Sequence, residues 1–141
     1  MHPRIEGEVV FANGNGPGWA NPANLSFADD SRVVGRDDRR YGPLPRDWGK
    51  FIGQYRWGNS VVVAYRIGGT PVHEIPGRLP AVAESHGSVF LRTLWLGPRS
   101  QDLLLQVADW SGSAKGLRVG YRSTQDFLEW ENNGRALMLR V

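Results

Sequence analysis

At 141 residues, with hydrophobic side chains at 40% and charged ones at 22%, the chain is of one-domain size and can bury roughly two-thirds of the surface its unfolded form exposes. The absence of cysteine excludes a disulfide framework, a thiolate nucleophile and thioether attachment of a haem within it. The net charge of +3 comes mainly from arginines interleaved with acids, as in Arg36-Asp37-Asp38-Arg39-Arg40; this reads as a solvated face and not as a nucleic-acid track, which needs cations clustered on one surface.

The 18 glycines and 9 prolines exceed the usual share and imply many turns between short strands. Residues 5–11 form a first β-type run, and the Gly/Asn/Pro-rich stretch at 13–18 is turn or loop. Without a helix pattern behind it, that stretch is no phosphate cradle. Residues 20–40 show neither period and read as a long loop, with Phe27, Val33 and Val34 as candidates for pinning it to the body. Gly42-Pro43-Leu44-Pro45 enters in extended form, and Pro45-Arg46-Asp47-Trp48 suggests a turn capped by the Asp47 carboxylate.

The clearest signal is the run 41–76. Residues 51–57 and 60–67 alternate as strands around Gly58-Asn59, and Gly68-Gly69 turns the chain into a third strand at 70–75. Strict alternation would place Phe51, Gly53, Tyr55 and Trp57 on one face, with Gly53 marking a packing accommodation or a bulge. Residues 77–87 read as a loop. Runs at 88–96 and 102–109 read as a second hairpin, 117–122 and 135–141 as further strands, and 125–131 as a short helical or turn segment. The fold class is therefore all-β, an antiparallel sandwich-like or propeller-fragment meander of seven or eight strands with long loops. It reads as a single domain over 1–141, a strand and long loop to residue 40 and a β-meander core from 41. The strand-like ending suggests a fragment of something longer.

Chemistry-bearing residues are few. The three histidines have no HxH or HExxH spacing, and His73 and Glu74, adjacent on a strand, point to opposite faces. No metal site and no catalytic residue is expected. Asp29, Asp30, Asp37, Asp38 and Asp47 crowd the loop region, where they are solvated loop acids or, in an enzyme, the lining of a cleft. Aromatic residues are more suggestive: of six tryptophans, Trp57 and Trp95 fall in strands and read as core. Trp19, Trp48, Trp110 and Trp130 fall in or beside loops, where an indole anchors backbone or stacks on a sugar ring or a partner. Trp19, Trp48, Asp47, Trp110 and the turn at Trp57 are the candidate binding residues.

Gly18-Trp19-Ala20-Asn21-Pro22, the run from Tyr41 through Pro43-Leu44-Pro45 to Trp48, the stretch from Gly53 to Val62, and Arg92-Thr93-Leu94-Trp95-Leu96-Gly97-Pro98 come in an order that resembles a bacterial domain of unknown function. That domain occurs in large exported proteins, often beside a propeller and a c-type haem domain, and the likeness spans about residues 17–110. Its usual Tyr-x-His-Gly-Asp element is here Tyr55-Arg56-Trp57-Gly58-Asn59, which removes the histidine and the acid. The resemblance implies a periplasmic or envelope location and other domains of the same parent protein as partners. It also implies redox or carbohydrate-processing surroundings, with any haem held by another domain, since this chain has no CxxCH and no cofactor of its own. No nucleic acid or membrane insertion is expected. The function that follows is a non-catalytic structural or binding module contacting a neighbouring domain or a saccharide. The alternative is part of a sugar-oxidising or hydrolytic enzyme.

Overall fold

A computed structural model of the chain describes residues 17–79, 89–109, 129–132 and 136–140. Among these there is no helix, and every strand pairing is antiparallel. The expected strands at 5–11 and 117–122 lie outside the described residues, as do His2, His86 and Trp110.

The strands are β1 (Val33–Val34), β2 (Arg40–Tyr41), β3 (Gly49–Trp57), β4 (Ser60–Ile67), β5 (Thr70–Leu79), β6 (Val89–Leu96), β7 (Leu104–Asp109), β8 (Glu129–Asn132) and β9 (Ala136–Arg140). β3 to β6 form a four-stranded meander, β7, β9 and β8 a second sheet in that order, and β1 with β2 a small ladder inside the long loop. Gly58 and Gly68 have φ of 58° and 55°, while Asn59 and Gly69 do not enter the positive range. Positive φ at the first of two turn residues is the type II′ pattern, whose twist suits a hairpin.

The meander extends further than the sequence suggests. β5 continues to Leu79 and pairs along its length with β6, so the second hairpin joins β5 to β6. The expected hairpin between 88–96 and 102–109 does not form: β7 pairs with β9 and, on its other side, with the extended segment around Trp19. The backbone amides of Ala20 and Gln106 donate to the Leu104 and Gly18 carbonyls there, at 2.9 and 2.8 Å. The chain thus changes sheets between β6 and β7. Residues 129–131, read as helical or turn, belong to β8.

Packing follows from that crossover. Trp19, Leu103 and Leu105 bury against Ile67 and Val72 on one face of the meander, with Tyr65, Leu94, Leu96 and Val107 around them. On the outer side of β7, Ala20 and Leu104 are covered by Leu25 and Phe27, so the loop folds back over the second sheet. Phe27 pins it as expected; Val33 and Val34 do not and stay exposed. The loop holds its shape through short polar turns. Asn21, Asn24, Ser26, Asp30 and Asp37 each accept, through a side-chain oxygen, the amide two residues on, a local bond that competes well with regular structure.

Candidate functional site

One face of the meander packs on the core over part of its extent, leaving Phe51, Val61 and Phe90 exposed; the other lies open. In an antiparallel ladder directly opposed residues share a face, so the register arranges the open side in rows. Lys50, Arg66 and Pro71 make the first row, and Gly53, Ala64, His73 and Trp95 the second. Tyr55 and Val62 continue it with Ile75 and Thr93, then Trp57 and Ser60 with Gly77 and Leu91. Trp57 is 80% exposed, and Tyr55 and Trp95 are each 57% exposed. The His73 ring stacks on Trp95 with centroids 5.3 Å apart and planes 24° from parallel.

A bulge between Phe51 and Gly53 creates this arrangement. The extra residue, Ile52, reverses the alternation, so Phe51 opposes Tyr65 on the core side while Tyr55 and Trp57 oppose Val62 and Ser60 on the open one. Strict alternation, which put Phe51 with Tyr55 and Trp57, fails at that point. The Tyr55 side chain lies back along its strand over Gly53, its hydroxyl 4.0 Å from where a Gly53 Cβ would stand, a distance at which a Cβ would fit. Ala64 beside it is buried beneath the larger neighbours. The result is a low floor of small residues flanked by aromatic rings.

The core face carries its own polar cluster. Trp19 Nε1–H donates to Tyr65 Oη at 3.0 Å, and Tyr65 O–H donates to Glu74 Oε2 at 2.8 Å. Arg92 binds the same carboxylate through Nε at 2.6 Å and Nη2 at 3.1 Å. Burial works against the Glu74 charge, but the Arg92 guanidinium and the Tyr65 hydroxyl outweigh it and hold its pKa below the ordinary carboxylate value. Burial likewise pushes the Tyr65 phenol well above its ordinary value. Every member is bonded to another, so the cluster ties β4, β5 and β6 to Trp19.

The candidate residues separate sharply. Trp19 is 5% exposed and Trp48 2%; the Trp48 Nε1–H donates to the Trp19 carbonyl at 3.0 Å. These indoles fasten irregular backbone to the core and show no open face to a ligand. The turn before Trp48 is closed by the Pro45 carbonyl, which accepts the Trp48 and Gly49 amides at 3.0 and 2.9 Å. Asp47 is exposed and caps nothing among the described residues. Trp57, chosen at a turn, lies on the open aromatic face; with Trp95 it was expected in the core, and both are on the surface instead. Tyr55, His73 and Trp95 were not singled out. Tyr55 shares β3 with Trp57, and the β4–β5 and β5–β6 registers bring His73 and Trp95 onto the same face; the β5–β6 pairing spans residues that the sequence reads as loop.

Three of the loop acids, Asp29, Asp30 and Asp37, are engaged in holding the loop. Asp30 is buried and takes a bidentate pair of bonds from Arg32, both 2.9 Å, with Arg40 Nε at 3.5 Å. Asp37 accepts from Tyr41 Oη at 2.6 Å, and Asp29 accepts from the Asn21 and Asn24 amides. Among the described residues no three metal-ligating side chains gather. A shallow depression of about 430 Å³ at the β4–β5 turn is lined by Gly69, Thr70, Pro98, Arg99, Ser100 and Gln101 and touches neither the acids nor the aromatic face.

These features define a β-rich domain with an internally bonded polar cluster and an open sheet face that carries Tyr55, Trp57 and Trp95. Residues 1–74 match the family described as a domain of unknown function, DUF6797, and the chain belongs to that family. No curated protein and no solved structure matches it. The match ends at Glu74, within β5, so Tyr55, Trp57 and His73 fall inside it and Trp95 beyond it.

Proposed function

We propose that the chain is a non-catalytic binding module of a larger exported protein and that its ligand is a saccharide, held on the open face of the meander. The exposure of Trp57, Trp95 and Tyr55 on one sheet face carries this reading. Flat aromatic rings bring large apolar area at little conformational cost, and a sugar ring presents them with a flat apolar side. Large exposed aromatics gathered on one sheet face mark an interaction surface more often than an accident of composition. The engagement of Asp29, Asp30 and Asp37 in loop bonds supports the non-catalytic half of the proposal. The envelope location and the companion domains rest on the family resemblance.

The test is a titration of soluble polysaccharides, neutral and charged, against the intrinsic tryptophan fluorescence of the full chain. Binding should quench or shift the emission and should be lost in Trp57→Ala and Trp95→Ala variants that keep the native unfolding midpoint. No response across the panel, or binding indifferent to both variants, overturns the proposal.

A further inference from the structure

We infer that the saccharide taken by this face is anionic, a polysaccharide bearing carboxylate or sulfate groups; the inference rests on the saccharide reading above. The first row of the open face sets Lys50 directly opposite Arg66. Two like charges in directly opposed positions repel and disfavour the sheet. No acid offsets them: the residues that the register assigns to this face, from Lys50 on β3 to Trp95 on β6, include no Asp or Glu. The acid of the meander, Glu74, is on the core face and already bound to Arg92.

Arg66 is held in place by its own turn, Nη2 donating to the Gly69 carbonyl at 3.0 Å, which leaves further N–H groups of the guanidinium for an anion. Lys50 is exposed and has no ion pair among the described residues. A guanidinium beside an ammonium is a matched pair of donors for carboxylate or sulfate, one planar and forked, the other a compact charge.

Successive rows are about 7 Å apart along the strands and neighbouring strands about 4.8 Å apart. Lys50, Gly53, Tyr55 and Trp57 therefore run along β3 for about 20 Å, cation first and aromatic rings after, over the small floor of Gly53 and Ala64. A chain of sugar rings lying along this line would stack on Tyr55 and Trp57 while an acidic substituent reached Lys50 and Arg66. Arg56, on the core-side parity of the same strand, would not contact it.

The experiment uses the full chain with two matched pairs of probes, polygalacturonate against its methyl ester and dextran sulfate against dextran. At least one charged probe should bind about tenfold more tightly than its neutral partner, the size of a charge-assisted contact. Lys50→Gln with Arg66→Gln should abolish that preference and leave the weak neutral binding. Arg56→Gln, which removes a positive charge from the other face, should leave the preference intact. Equal binding within both pairs, or an equal loss in Arg56→Gln, overturns this inference and leaves the saccharide reading standing. Binding to none of the four sinks both, as does self-association or capture by anionic vesicles that blocks Trp57 in place of the polysaccharides.

Discussion

Replacing Trp48 by Phe tests the division of labour among the tryptophans. The Trp48 ring is 2% exposed, and its Nε1–H is the bond seen to the Trp19 carbonyl, 3.0 Å away and 29 residues distant in sequence. Phe keeps an aromatic ring but removes the donor, which strands a buried carbonyl at about 1–3 kcal/mol, and it leaves a small void that adds roughly another 1 kcal/mol. The expected loss is about 2–4 kcal/mol. At about 4 °C per kcal/mol for a domain of this size, the melting temperature should fall by roughly 8–16 °C. Urea and thermal unfolding followed by circular dichroism read this without relying on the altered fluorophore. The matched control is Trp57→Phe at a site 80% exposed, where the change should stay within about 0.5 kcal/mol. A Trp48→Phe loss under about 0.5 kcal/mol, or a Trp57→Phe loss as large as it, would refute the assignment of one indole to the core and the other to the surface.

Further outcomes follow from the same contacts. The bidentate bond from Arg32 holds the Asp30 carboxyl below its ordinary pKa, with Arg40 adding to it. Because the folded value is the depressed one, Asp30 contributes stability above the ordinary carboxylate pKa near 4 and loses it as pH falls through the lower folded value. The urea midpoint of Asp30→Asn should therefore fall less steeply than wild type between about pH 5 and pH 2; parallel profiles would show that the pair contributes nothing. Gly97→Ala would set a methyl 2.4 Å from Pro71 Cγ, and overpacking of that kind costs about 1–3 kcal/mol in an equilibrium unfolding experiment. Gly58→Ala meets open space but keeps a φ of 58°, so its cost is backbone strain alone, about 1–2 kcal/mol. Asn, which tolerates left-handed φ, should recover much of that at position 58 and nothing at 97; equal recovery at both would contradict the steric account of Gly97.

Much of the meander was legible because its causes are local. Gly58-Asn59 and Gly68-Gly69 announce II′ turns, alternation marks β3 and β4, and cysteine-free, glycine-rich composition without helical periodicity excludes most other fold classes. Proline and glycine at Pro76 and Gly77 argue for a loop by the same local logic, yet these residues lie within β5 and pair with Arg92 and Leu91. An edge-to-edge partner of sufficient length overrode the local preference, as tertiary pairing does with β-propensity in general.

The site was decided almost wholly by tertiary structure. Which tryptophan faces solvent depends on which face of the sheet meets the core, and that was set by Trp19 and Leu105, which pair although far apart in sequence. One inserted residue at Ile52 then moved Tyr55 and Trp57 across to the open side, because a side-chain period of two turns any single-residue shift into a change of face. By itself the sequence determined the class of fold and its turns, since those follow from residue types and near neighbours. Whether an indole is an anchor or a platform depends on contacts tens of residues away, and only the folded sheets could decide it.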